Sequence, residues 1–260
     1  NTVEDNISMI LKSMTLKEKV GQVFIVAFRK NTENQPMHIL DQATSNTIHK
    51  YNPGGIILFS ENIHDIPQTN KLIEDMQSSS KVPLFIAVDE EGGLVSRLNS
   101  SPEMHATKLP GNKVLGQTGD IELAYRVGAL IGKELYSLGF NMNFAPVADV
   151  NTNPKNPVIG SRAFGDNPEK VGEMVESMVR GMQEQGISAV LKHFPGHGDT
   201  STDTHTGAVV VSHDIERLRR IEFIPFIKGI GAGVDGVMTA HIQVPEVTGE
   251  SLPATFSDKI

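Results

Sequence analysis

The chain has 260 residues, 38% of them hydrophobic, enough to bury the core of one large domain. Its net charge of -8, with no long basic run, argues against a nucleic-acid groove or an anionic-membrane patch and leaves a neutral or small polar substrate as the default. No apolar stretch approaches the roughly 20 residues that span a bilayer, and the absence of cysteine excludes disulfides and thiolate metal sites while leaving the redox compartment open.

From its N-terminus the chain opens at Asn1, without Met and without a signal-peptide pattern, as a processed or trimmed product would. An exported or envelope-associated location is the expectation, with the cytoplasm as the alternative. Thr15 and Glu18 have the spacing of a capping box and predict a helix start. Short β-rich apolar runs then recur at 23–28, 55–59, 84–88, 140–147, 188–191 and 236–240. They are continuous rather than alternating, the pattern of strands buried on both faces of a parallel sheet. Amphipathic segments separate them. Leu123, Val127, Leu130, Ile131, Leu135 and Leu138 recur at helical spacing, as do Val171, Met174, Val175, Met178, Val179 and Met182 behind an Asp166-Asn167-Pro168 cap. The methionine stripe is read as a core-facing helix rather than a cofactor-binding face.

Alternating β and α units predict a parallel α/β fold, either a barrel or a doubly wound sheet. Polar clusters decide between them. Asp89-Glu90-Glu91-Gly92-Gly93 follows the third run, Asp149-Val150-Asn151 the fourth, Lys192-His193 ends the fifth and His241 ends the sixth. Nearly every strand thus delivers polar groups at its C-terminal end, as a (β/α)8 TIM-type barrel does when it assembles a site from many βα loops. Gly196-His197-Gly198 lacks the spacing and helix start of a phosphate-binding fingerprint. A closed barrel needs eight strands, and only about six are found. Residues 1–260 are therefore expected to form a catalytic barrel domain that is incomplete at its C-terminal side.

The segment from Lys192 to Gly207 gathers several ionisable residues in a Gly-rich loop, where burial without partners would cost several kcal/mol each. Asp203 and His205 are two apart, so an extended backbone points both the same way. A carboxylate on one imidazole nitrogen fixes the tautomer and leaves the other nitrogen to exchange a proton with a substrate.

Lys-His-Phe-Pro-Gly-His-Gly-Asp-Thr at 192–200, followed by Asp203-Thr204-His205, resembles the signature of β-N-acetylglucosaminidases of glycoside hydrolase family three. The blocks 54–59, 89–93, 143–150, 161–165 and 238–241 resemble family blocks in family order, so the similarity covers about Met14 to Ile260. It implies that His205 is the general acid/base and Asp203 its orienting partner. It also implies that Asp89 binds sugar hydroxyls, that Arg162, Lys192 and His193 position the N-acetylhexosamine, and that Arg97 supports them. Leu94 stands where the family commonly carries Arg.

The resemblance further implies a retaining, exo-acting hydrolase that releases terminal β-linked N-acetylglucosamine from peptidoglycan fragments or chitooligosaccharides, with no cofactor or metal. Retaining glycosidases ordinarily pair two carboxylates. A histidine in the acid/base role leaves a neutral imidazole after leaving-group departure, so the second step can accept phosphate as well as water, which keeps a phosphorylase as an alternative. The family's nucleophile block at the seventh strand is not found. Asp235 precedes its strand and is expected at the opposite end of the barrel, so the fragment alone is expected to be inactive. A non-catalytic sugar-binding fragment, and a metal-dependent barrel hydrolase using His193, His197, Asp203 and His205, are the remaining alternatives.

Overall fold

The computed structural model describes residues 3–201 and 209–260. Its main sheet has six parallel strands: β1 (Ile25–Val26), β2 (Gly55–Ile57), β3 (Phe85–Val88), β4 (Met142–Asn143), β5 (Ser188–Phe194) and, after β6 (Val209–Val210), β7 (Gly236–Thr239). They lie in the order β1-β2-β3-β4-β5-β7. A doubly wound sheet reverses its order at a switch point, whereas this sheet adds each strand beside the last, as a barrel does. All six expected runs contain a strand. The pairing of β6 with β8 (Ile242–Gln243) in a separate two-stranded sheet was not expected.

The helices are α1 (Val3–Ser13), α2 (Leu16–Gln22), α3 (Gln42–Tyr51), α4 (Ile66–Ser78), α5 (Asn112–Thr118), α6 (Ile121–Ser137), α7 (Pro168–Gln183), α8 (Ile215–Arg220), α9 (Phe223–Gly231) and α10 (Pro245–Thr248). Thr15 and Glu18 do form the capping box of α2. Asn167 accepts from the Lys170 amide at the start of α7, with Pro168 in the first turn. The six apolar positions from Val171 to Met182 are all buried, so the methionine stripe is core. It packs against α6, which brings Ile131 and Leu135, and against α9, which brings Phe226, in one core with Leu72, Ile73 and Met76 of α4 and the sheet residues Ile56, Ile86, Val88 and Leu191.

One expectation needs correction. The central strands are buried, but β1 and β7 are not: Ile25 is 41% and Val237 40% exposed. Each is an edge strand of the main sheet, paired with a neighbour on one side only. What positions the site is the other axis of the fold, because the C-terminal ends of β3, β4 and β5 open on the same side of the sheet.

Candidate active site

Strand β5 places two polar neighbours on one side of the sheet. In a regular strand Lys192 and His193 would face opposite ways. The ladder with β7 instead shifts register between Lys192 and Phe194, and such a bulge re-aims a side chain. Both side chains reach the loops that follow β3 and β4.

Lys192 is 2% exposed, and its Nζ donates to Asp89 Oδ1 at 2.7 Å and lies 2.6 Å from Glu91 Oε1. Arg162, in the loop after β4, grips Glu91 with both arms, Nε to Oε2 at 2.9 Å and Nη2 to Oε1 at 2.8 Å. Arg97 Nη2 closes the array on Asp89 Oδ2 at 3.4 Å. A buried lysine is tolerable only where counter-charges replace its water, and two carboxylates do so here. Burial acts to raise the pKa values of Asp89 and Glu91. The Lys192 ammonium, with Arg97 and Arg162 respectively, outweighs it and holds both below the ordinary carboxylate range.

His193 is oriented from behind. Asp149, fully buried at the end of the fourth apolar run, accepts from His193 Nδ1 at 2.7 Å. Its other oxygen accepts the backbone amides of His193 at 3.3 Å and His197 at 2.7 Å. Arg162 Nη2 lies 3.4 Å from His193 Nε2. A guanidinium only donates and a carboxylate only accepts, so the geometry selects the tautomer with hydrogen on Nδ1 and a lone pair on Nε2. Burial raises the Asp149 pKa, but the His193 ring and the His197 backbone amide prevail and lower it.

His197 is 2% exposed, and its ring stands edge-on to that of His193, with the centroids 5.9 Å apart. Its Nδ1 lies 2.7 Å from Thr200 Oγ1, which itself donates to the His197 carbonyl at 3.0 Å, so His197 Nδ1 is the donor. Burial pushes the His197 pKa down. Gly198 lies so close to the preceding loop that a Cβ there would fall 1.8 Å from the Val150 carbonyl oxygen. The β5 loop thus begins as a rigid turn against the β4 loop.

Asp89, Arg97, Arg162, Lys192 and His193 therefore come together. Asp203 and His205 lie outside the described residues. Glu91 and Asp149, noted in sequence only as members of strand-end clusters, tie the array together. Asp235 is exposed and precedes β7, away from the array, and Leu94 is 85% exposed. Among the described residues no three His, Asp or Glu side chains gather in a metal-holding group. Three carboxylates (Asp89, Glu91, Asp149) face three cations (Arg97, Arg162, Lys192), so the mouth offers many donors and acceptors with little net charge. Such a surface suits a neutral polyhydroxylated ligand.

A model of the "Glycosyl hydrolase family 3 N terminal domain" matches residues 15–260. The chain is similar to the "Beta-hexosaminidase A" of Pseudoalteromonas piscicida, 41% identical over 95% of this chain and 46% of that protein. A family 3 β-N-acetylglucosaminidase from Paenibacillus sp. str. FPU-7 superposes with a TM-score of 0.86 at 44% identity, over 94% of this chain and 45% of that one. NagZ from Neisseria gonorrhoeae, solved in complex with N-trifluoroacetyl-D-glucosamine, superposes with a TM-score of 0.80 at 31% identity, over 90% of this chain and 67% of that one. The chain spans about half the length of the curated relatives it matches.

Proposed function

The chain belongs to glycoside hydrolase family 3, and from that premise we propose that residues 1–260 form the sugar-binding part of a catalytic (β/α)8 barrel domain in a retaining, exo-acting β-N-acetylglucosaminidase. Its substrates on this reading are peptidoglycan fragments or chitooligosaccharides ending in β-linked N-acetylglucosamine. The observation that carries the reading is the charge-compensated array of Asp89, Arg97, Glu91, Arg162, Lys192 and His193 at the ends of β3 and β5.

In this proposal Asp89, Lys192, Arg162 and His193 hold the hydroxyls and amide of the terminal sugar. Arg97 and Glu91 keep those groups in place, and Asp149 keeps the His193 ring in the tautomer that presents a lone pair. His205, oriented by Asp203, delivers its proton to the glycosidic oxygen as the bond from C1 breaks, and takes a proton from the incoming water in the second step. The nucleophile is a carboxylate other than those described. Asp89 and Glu91 are each engaged by two cations and held at low pKa, which makes them weak nucleophiles.

The test compares p-nitrophenyl N-acetyl-β-glucosaminide with the β-glucoside in the intact enzyme, and follows the anomer of the first-formed product. Preference for the N-acetyl sugar with retention, abolished by Lys192→Met, is the expected result. Equal rates on both sugars, or inversion, refute the reading. Release of sugar 1-phosphate in phosphate buffer identifies the phosphorylase alternative.

A further inference from the structure

Beside the sugar-binding array lies a second set of charged side chains that the proposed chemistry does not use. His213 Nε2 lies 2.7 Å from Asp199 Oδ2, and Arg217 Nη2 approaches the same oxygen at 3.6 Å. Arg217 in turn donates to Glu222 Oε1 at 3.1 Å. Glu222 is 2% exposed, its other oxygen is buried without a hydrogen-bond partner among the described residues, and burial pushes its pKa up. The backbone of the β5 loop rests directly on it: Gly196 has φ 128°, and a Cβ there would meet Glu222 Cγ at 2.7 Å.

Asp199 and His213 stand on opposite sides, in sequence, of Asp203 and His205. Each flank is anchored to a different neighbour. On the N-terminal side, Gly198 abuts Val150 and Thr200 bonds to the His197 carbonyl. On the C-terminal side, β6 pairs with β8, and Val209, Val211 and Leu218 pack with Ile242 and Val244.

We propose that the hydrogen bond between His213 and Asp199, backed by Arg217 and Glu222, is a clasp that joins the two flanks of the acid/base segment and so sets where His205 meets the glycosidic oxygen. This rests on the acid/base reading of Asp203 and His205. Tying two points of a chain together restricts the positions open to the residues between them. The side chains of His213 and Asp199 are 26% and 27% exposed, so the bond adds little to stability. Placement is the more sensitive quantity, because a misplacement of about 1 Å in a catalytic group costs on the order of 100-fold. His213 and Asp199 are thus positioning residues.

Leaving-group dependence in the intact enzyme tests this. A dinitrophenolate leaves without a proton, whereas the sugar leaving group of chitobiose needs one. His213→Ala is expected to lower kcat/KM on chitobiose about tenfold or more, and to change kcat/KM on 2,4-dinitrophenyl N-acetyl-β-glucosaminide by less than about twofold. His213→Gln, which retains an N–H donor for Asp199, is expected to restore most of the chitobiose rate. Equal losses on both substrates, no loss on either, or failure of the Gln variant to rescue would overturn the clasp. His205→Ala must show the same split between substrates. If it does not, the acid/base reading itself falls and the clasp with it, an outcome distinct from failure of the His213 variants alone.

Discussion

Lys192→Met replaces a buried ammonium by an apolar chain of similar length and leaves Asp89 and Glu91 facing an uncharged, non-donating group. In the wild type the ammonium sits 2.7 Å from one carboxylate and 2.6 Å from the other, with side-chain exposures of 17% for Asp89 and 1% for Glu91. Removing one member of a buried ionic cluster typically costs about 3–5 kcal/mol. The Arg162 fork remains on Glu91, and Arg97 remains on Asp89, so the lower end applies, about 3 kcal/mol at pH 7. The cost has a pH signature. In the wild type both carboxyls have lowered pKa values, so their contribution is present above the ordinary values of 3.8 and 4.5 and is lost as pH falls through the lowered ones. Without Lys192 the desolvation that already opposes ionisation gains ground, and protonation relieves the variant at a higher pH than the wild type. The deficit should shrink on acidification, by about 1.4 kcal/mol for each unit by which a carboxyl pKa rises. Equilibrium urea unfolding followed by far-ultraviolet circular dichroism at pH 7, 6 and 5 measures it. A deficit below about 1 kcal/mol at pH 7 would refute the claim that Lys192 compensates two buried carboxylates.

Asp149→Asn replaces one acceptor oxygen by an NH2, which then faces either His193 Nδ1 or the two backbone amides of His193 and His197, and so weakens the hold on the His193 ring. N-acetylglucosamine affinity measured by calorimetry should fall by about 2 kcal/mol, roughly 30-fold, with an unchanged circular dichroism spectrum. His197 has a pKa lowered by burial, so the unfolded chain binds a proton more readily than the folded one below the ordinary value of 6.5. Stability should therefore fall as pH drops from 7 towards 5, and His197→Gln should flatten that part of the profile in urea titrations. Gly198→Ala drives a methyl into the Val150 carbonyl and should cost about 1–3 kcal/mol, seen as a lower Tm, with sugar affinity falling alongside because the β5 loop must move.

The strand cores at 55–57, 85–88 and 188–191 were legible because each is a short apolar run bounded by glycine or polar residues, a pattern that burial between two layers demands. The α7 helix was legible for a different reason, since its cap and its apolar stripe are both local. The two-residue strands β6 and β8 are too short to carry any period, so their pairing exists only as a tertiary fact. The same limit applied to the site. Lys192 and His193 stood out by their resemblance to a family signature, but the carboxylate that meets each depends on the register among β3, β4 and β5 and on the bulge at His193. Thus Glu91 and Asp149 gained their roles only when the loops came together. The link between Asp199 and His213 spans a stretch that no sequence period marks.

The balance of three carboxylates against three cations in the mouth also governs how a ligand arrives. Opposite charges this close cancel within a few ångströms, so beyond a Debye length of about 8 Å at physiological ionic strength little field from this array survives. A neutral sugar would then be captured by diffusion and fit alone, and its association rate should be indifferent to added salt. A chain with a net charge of -8 would still hold anions off at long range. The approach of any negatively charged aglycone should therefore quicken as ionic strength rises, a kinetic asymmetry between neutral and anionic substrates that arises before either one touches the site.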